Sequence, residues 1–272
     1  LCPPMSEKPP FDIVLKEQQR LSDVLSSIEE TARQNRAKIA NHDAYTVELE
    51  KERLDSVSWR EKNSLTEKLI ENDKFDPARY LTAFTMIDSP YFGIVGINDT
   101  DRRIGAKEYL LGKQGFVSHD NRALVVDWRK APISRFFYDY EVGEEYLETI
   151  QGREREGVIS RRDTVEIAKR SLRRLECGAE SFELAGGSWV KKDRQYQTTS
   201  DTKAENQDHR MVDIVSLISP DQFRMITAEA TDGCTLITGG AGSGKTVVSL
   251  HRLSCLQFND PDRFPPDRCL VL

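Results

Sequence analysis

The chain has no apolar run approaching the roughly 18 residues a membrane helix requires, and its N-terminal residues lack the basic-then-apolar layout of a secretory leader. No membrane role is expected. Cysteine is sparse. Cys2, Cys177, Cys234, Cys255 and Cys269 lie far apart without a C-x-x-C pair, which speaks against a zinc site or a disulfide scaffold and fits a reducing cytoplasm. The four histidines are equally dispersed, so neither a metal centre nor a histidine-based nucleophile is indicated. Basic charge is not in excess: the formal net charge is −6 with 31% charged residues. Such a chain is well solvated but has no global attraction to nucleic acid, and any such contact must come from local patches.

Against these absences stands one dense signal. Gly239-Gly240-Ala241-Gly242-Ser243-Gly244-Lys245-Thr246 satisfies the phosphate-loop pattern G-x-x-x-x-G-K-[ST] at every specified position. Cys234 to Thr238, apolar and β-branched, reads as a buried strand entering the loop. Val247, Leu250, Leu253 and Leu256 read as the apolar face of a helix leaving it. Cys234 and Cys255, in that strand and helix, are expected to act as small buried apolar residues. The chemistry needs this layout: glycines let backbone N–H groups turn around a polyphosphate, and the helix start aims its positive dipole end there. Lys245 would reach the β- and γ-phosphates, and the Thr246 hydroxyl would ligate Mg²⁺. ATP and Mg²⁺ are the implied ligands, with Val247 as the next backbone position of the cradle.

The rest of the chain predicts an α+β, multidomain protein. Residues from about Phe11 to Met86 read as helical. Leu21, Val24, Leu25, Ile28 and Ala32 form one stripe, and Val47, Leu54, Val57, Glu61, Leu65 and Leu69 another periodic run, with a turn expected at Asn41-His42-Asp43. Two helices folded back on each other would bury such stripes as an antiparallel coiled-coil arm over residues 1–88; a bundle packed on the next domain would do so as well. A short helix is expected from Asp76-Pro77 to Asp88-Ser89-Pro90.

Over residues 89–178 the period falls to two, predicting a small β-rich domain, a twisted sheet or partial barrel. Its expected strands are Tyr91 to Asn98, Leu124 to Trp128, Ile133 to Tyr138, Glu145 to Ile150 and Glu156 to Ile167, followed by a helix from Ala168 to Cys177. Residues 179–210 read as a hairpin at Gly186-Gly187 and then an aliphatic-poor linker. Residues 211–272 read as the start of a phosphate-loop α/β domain, ending on the strand-like Arg268 to Leu272. Since such a sheet needs several covered parallel strands, the chain is expected to be the N-terminal part of a longer protein. Arg153-Glu154-Arg155, Arg161-Arg162, Lys169-Arg170 and Arg173-Arg174 could meet phosphate backbones; their interleaved glutamates suit a solvated face equally well.

Upstream of the loop stands Ile218-Ser219-Pro220-Asp221-Gln222-Phe223-Arg224-Met225-Ile226. With the loop and Leu250-His251-Arg252-Leu253, it resembles the opening of a UvrD/Rep-type superfamily-one helicase. In that family a glutamine upstream of the phosphate loop reads adenine, and Gln222 is the matching position. A terminal amide can donate to N7 and accept from the exocyclic amine together. The upstream segments Ser89-Pro90-Tyr91-Phe92-Gly93-Ile94-Val95-Gly96, Val125-Val126-Asp127-Trp128-Arg129-Lys130-Ala131-Pro132 and Met211-Val212-Asp213-Ile214-Val215 look like the HelD-type branch. Val247 stands where UvrD-like proteins often carry arginine, which also matches that branch.

The resemblance implies a RecA-like, ATP-hydrolysing motor whose partner is bacterial RNA polymerase, released and recycled by ATP-linked rearrangement, with DNA as a further contact. It also implies that an acidic Walker B strand and arginine fingers lie outside these residues, so that this stretch alone would be inactive. A repair or replication helicase of the UvrD/Rep type, and a non-enzymatic interaction module with a vestigial nucleotide site, are the competing readings.

Overall fold

The computed structural model describes residues 12–72, 83–130, 133–150, 152–193, 218–228, 230 and 234–269. The expected helix start at Asp76-Pro77, the linker 194–210, the segment Met211–Val215 and the terminal Leu270–Leu272 lie outside the described residues. The architecture is α+β: a long helix, a hairpin partner for it, a mixed sheet, and two helices packed against that sheet.

Helix α1 (Asp12–Asp55) is a single helix of 44 residues. It runs through Asn41-His42-Asp43, where a turn was expected. Asn, His and Asp each cost only a fraction of a kcal/mol in a helix interior, and nothing there breaks the chain as Pro or Gly would. The turn is instead at residues 56–58, after which α2 (Trp59–Asn72) returns along α1. Asn72 Nδ2 donates to Thr46 Oγ1 at 2.7 Å, and His42 Nε2 lies 3.1 Å from the Asn72 carbonyl. The tip of this hairpin is apolar and solvent-facing, with Val57 98% and Trp59 74% exposed.

Among the described residues nine strands form one sheet: β1 (Gly93–Asp99), β2 (Ala106–Gly112), β3 (Phe116–Val117), β4 (Ala123–Asp127), β5 (Glu145–Ile150), β6 (Arg153–Ala168), β7 (Ser171–Cys177), β8 (Glu180–Ala185) and β9 (Ser188–Asp193). Their order is β3-β4-β2-β1-β6-β7-β8-β9, and β5 pairs with the first half of β6. The β2–β4 pair is parallel and all other pairs are antiparallel. The Gly186-Gly187 hairpin is the β8–β9 turn, and β8 pairs with β7, so the sheet continues through the 178/179 boundary taken from the sequence.

Two expected elements are corrected. Ile133–Tyr138 is a helix, α3, not a strand. Phe136, Phe137 and Tyr138 are consecutive and all buried. The helix sends them in separate directions, to Tyr146, Phe92 and Phe223, which a two-faced strand could not do. Residues 171–177, expected as a helix, form strand β7. Its helical appearance came from Leu172 and Leu175, three residues apart. Arg174 pairs with Glu166 and Leu172 with Ile167, leaving Arg173 as the extra residue of a bulge. The bulge returns both leucines to one buried face. The β6–β7 turn places Lys169 and Arg170 at φ 49° and 66°, the conformation of a tight hairpin turn that normally selects Asn-Gly. Arg170 is anchored from outside the turn: its N–H donates to Asp88 O at 3.1 Å, and its guanidinium pairs with Glu29.

Each face of the sheet carries its own core. On one face, Val14, Leu21, Val24, Ile28 and Ala32 of α1 pack against Ile94, Val125, Val165, Leu175 and Phe182. The first half of α1 is thus part of the sheet's core, and the second half forms the hairpin. On the other face, Val95, Ile97, Leu111 and Ile159 meet α3 and the helices α4 (Pro220–Thr227) and α5 (Lys245–Asn259) through Phe223, Ile226, Val248 and Cys255.

Candidate nucleotide site

Helix α4 begins with a complete capping box. The Gln222 N–H donates to Ser219 Oγ at 3.3 Å, and the Ser219 N–H donates to Gln222 Oε1 at 3.1 Å, with Pro220 in the first turn, where its missing N–H costs nothing. Phe223 and Ile226 turn to the sheet, which leaves Gln222 on the side facing α5. There its Nε2 donates to the Ser243 carbonyl at 3.3 Å. The amide thus retains one N–H and one lone pair beyond these bonds.

Helix α5 starts at Lys245 with Gly244 as its N-cap at φ +79°. Gly242 is also left-handed, at +78°. At Gly244 the demand is double, since a Cβ would stand 3.1 Å from Gln222 Nε2 besides straining the backbone. Ser243 N–H closes the loop onto Gly240 O at 3.4 Å. Lys245 curls over its own loop, its Nζ donating to Gly239 O at 3.0 Å and Gly240 O at 2.6 Å. Gly239, Gly240, Ala241, Gly242, Ser243 and Thr246 are exposed, and Val247 is half-buried. The structure therefore brings Gln222, Ser243, Gly244, Lys245 and the loop carbonyls together at one solvent-facing corner, with the Thr246 hydroxyl at the helix start.

The flanks of the loop differ from expectation. Cys234–Thr238 pairs with no strand among the described residues, and Leu236 is 82% exposed. A parallel strand exists only through neighbours that take its hydrogen bonds, and no described strand pairs with this one, although Ile237 packs against the core. Cys234 is accordingly exposed, not buried. On α5 the buried residues are Val248 and Cys255. Leu253 and Leu256 are half-buried and Leu250 is 48% exposed, so the helix is rotated from the face the leucines suggested. Trp128 explains the rotation, meeting His251 edge-on at 5.3 Å.

Tyr138 and Asp139 support the site without a recognisable sequence signal, whereas Asp127 and Arg129 lie in the segment Val125 to Pro132 singled out above. Tyr138 stacks on Phe223 at 4.3 Å, and Asp139 pairs with Arg224 at 3.2 Å; burial pushes the Asp139 carboxyl up, against the pull of Arg224 and Arg135. Arg129 is gripped by both oxygens of buried Asp127, at 2.9 and 2.6 Å. It spans to Ser254 Oγ at 3.3 Å and lies over the Phe258 ring at 4.2 Å. A cavity of about 370 Å³ opens at the far end of α5, lined by Arg129, Ile226, Cys255, Asn259, Arg263 and Phe264 among others. Burial raises the Cys255 thiol above its ordinary range.

Five arginines of the arginine-rich stretches form ion pairs within the fold. Arg155 pairs with Asp99, Arg162 with Glu141, Arg170 with Glu29, and Arg174 with Glu166, Glu176 and Glu183. Arg161 binds three carboxylates under α1. Among the described residues no group of histidine, cysteine and carboxylate side chains could hold a metal ion, and no helix is long and apolar enough to cross a membrane.

Comparison with curated proteins finds no match. The family model described as DNA helicase IV HelD, N-terminal domain, matches residues 14–177. That stretch contains α1, α2 and the sheet as far as β7, and it stops short of Gln222 and the phosphate loop. The match covers more than half of the chain and follows the elements just described in order, so the chain belongs to the HelD helicase family through its N-terminal domain.

Proposed function

We propose that the full protein is an ATP-dependent, helicase-like motor whose nucleotide site opens at Gln222 and the loop Gly239–Thr246. The observation that carries this reading is the 3.3 Å hydrogen bond from Gln222 Nε2 to Ser243 O, which sets an amide with one spare donor and one spare acceptor at the rim of a phosphate loop. Adenine presents that complementary pair, N7 and the exocyclic amine, on one edge. Lys245 supplies the cation for the β- and γ-phosphates, and α5 directs its dipole at them. Thr246 fits Mg²⁺ by chemistry: a hard oxygen donor, exposed beside the loop. When bound, Mg²⁺ neutralises phosphate charge during phosphoryl transfer. In this reading α4 and α5 belong to a RecA-like domain, and HelD membership makes hydrolysis a property of the full protein.

Bacterial RNA polymerase is the proposed partner, with release and recycling of the enzyme as the outcome, and DNA is a secondary contact. Two things support it: membership of the HelD family, and a hairpin projecting from the sheet with an exposed apolar tip at Val57 and Trp59. The pairing of Arg155, Arg161, Arg162 and Arg174 within the fold weakens the alternative that these arginines grip nucleic acid.

The deciding experiment is steady-state phosphate release by the full-length protein. Lys245→Ala is expected to abolish turnover, because it removes the loop side chain that neutralises the β/γ-phosphates. Undiminished release would overturn the site assignment.

A further inference from the structure

Helix α4 is only 8 residues long, too short for its own hydrogen bonds to fix its orientation. The N-terminal domain fixes it instead. The ring of Tyr138, the last residue of α3, lies on Phe223 with centroids 4.3 Å apart and planes 17° from parallel. Next to it, Asp139 meets Arg224 at 3.2 Å. The two residues following Gln222 are therefore held, one through an apolar face and the other through charge. Both rings are buried, so a tilt of α4 breaks the stack instead of sliding it. Helix α5, which carries the loop, is held on the same sheet by Trp128 against His251 and by Arg129 donating to Ser254, and its Arg252 also donates to the carbonyls of Met225 at 2.7 Å and Ala228 at 3.0 Å. The sheet seats both helices and, with Arg252 between them, sets the spacing between Gln222 and the phosphate loop. That spacing has little slack, as the 3.1 Å approach of Gln222 Nε2 to a Cβ on Gly244 shows.

We propose that Tyr138, assisted by Asp139, is a positioning residue that holds the Gln222 amide over the phosphate loop and so sets the base selectivity of the nucleotide site. This rests on the adenine-reading role of Gln222 given above. The two residues act through Phe223 and Arg224, and they belong to the domain that also carries the hairpin.

The test is titration of the full-length protein with fluorescent mant-ATP and mant-GTP, comparing wild type with Tyr138→Ala, Tyr138→Phe, Asp139→Asn and Gln222→Ala. Tyr138→Ala should reduce the ATP-to-GTP affinity ratio about tenfold, toward the Gln222→Ala value. Tyr138→Phe, which keeps the ring, should retain the wild-type ratio, and Asp139→Asn should fall between. A merely structural role would lower both affinities together, and an unchanged ratio in Tyr138→Ala would overturn the proposal. If circular dichroism shows Tyr138→Ala to be unfolded, Asp139→Asn decides by the same criterion. Should Gln222→Ala itself leave the ratio unaltered, the adenine-reading role falls and the positioning role falls with it. A shift in Gln222→Ala with none in Tyr138→Ala or Asp139→Asn removes the positioning role alone.

Discussion

Arg161 and Glu17, 144 residues apart in sequence, meet at 2.8 Å beneath the first helix. Glu17 is almost fully buried. Arg161 also reaches Asp163 and Glu108, and Arg20 joins Glu108 from α1. Burial pulls the Arg161 guanidinium down, but Asp163 and Glu17 outweigh it and keep it charged. Removing one member of such a buried cluster strands the others. Arg161→Met is therefore expected to cost about 3–5 kcal/mol, read from urea denaturation. A loss below about 1 kcal/mol would mean that the cluster is water-screened and contributes no more than a surface pair.

The same cluster predicts a pH response. Burial raises the Glu108 carboxyl, but Arg161 and Arg20 more than offset this and leave it below its ordinary range. A carboxylate whose folded value is depressed contributes stability that is complete above its unfolded pKa, about 4.3, and is lost as pH falls through the folded value. Thermal melts from pH 7 downward should thus show a loss beginning near pH 4, and Glu108→Gln should flatten that acid limb. An identical limb in wild type and variant would place the acid sensitivity elsewhere.

At the nucleotide site, Gln222→Ala should narrow the preference for ATP over GTP by about 1–3 kcal/mol, and competition binding with both nucleotides measures it. Because the Gln222 side chain also completes the α4 capping box, some loss of stability, about 0.5–2 kcal/mol, should accompany the change. Loss of stability with an unaltered nucleotide ratio would make Gln222 a cap and nothing more. Thr246→Ala should weaken Mg²⁺-dependent binding while leaving Mg²⁺-independent binding in place, as a magnesium titration would report.

The hairpin gives a sharper partner test than removal of the whole N-terminal helix, which would strip Val14–Ala32 from the sheet's core. His42 and Asn72 are neighbours at the hairpin's base, so residues 43–71 can be replaced by a short Gly-Ser linker. That variant should fold and lose retention of core RNA polymerase in a pull-down. The double variant Val57→Asp, Trp59→Asp should weaken retention with a stability change within about 0.5 kcal/mol. Equal retention by all three proteins would remove the hairpin from the interaction. No retention by any, wild type included, would favour the repair-helicase reading.

Deleting Arg173 tests the β7 bulge. The ladder would become regular, and Leu172 and Leu175, then two positions apart, would stay on one face. The denaturation midpoint should therefore change little, and a loss of about 1.5–3 kcal/mol, the scale of exposing one leucine, would show that Arg173 does more than correct the register.

The stripe Leu21, Val24, Leu25, Ile28 and Ala32 of α1 and the second half of β6 could be read from periodicity, because their burial repeats at the period of the element. Val47, Leu54 and Val57 of the second expected stripe are instead exposed, and α2 buries no residue. The misreadings share a physical cause, namely that tertiary contacts replaced local signals. Lys169 and Arg170 adopt positive φ without glycine, held by Asp88 and Glu29. Leu172 and Leu175 imitate helical spacing because a bulge lies between them. Phe136, Phe137 and Tyr138 look like a strand by composition, yet each has a separate partner. The phosphate loop and Gln222 were evident as a motif, since the chemistry constrains residue type and spacing there. Tyr138 and Asp139 were not, because a stacked ring and an ion pair to residues far along the chain leave no local pattern.

Helix α1 is continuous over 44 residues, about 66 Å at 1.5 Å per residue, and no proline or glycine interrupts it. Mechanically it is a cantilever, clamped from Val14 to Ala32 and free to take a load at its far end. A push on Val57 meets no hinge on the way down, so it arrives as torque on the sheet whose opposite face seats α4 and α5. Such a rod would convert a small displacement at a distant surface into leverage on the floor of the Gln222 corner.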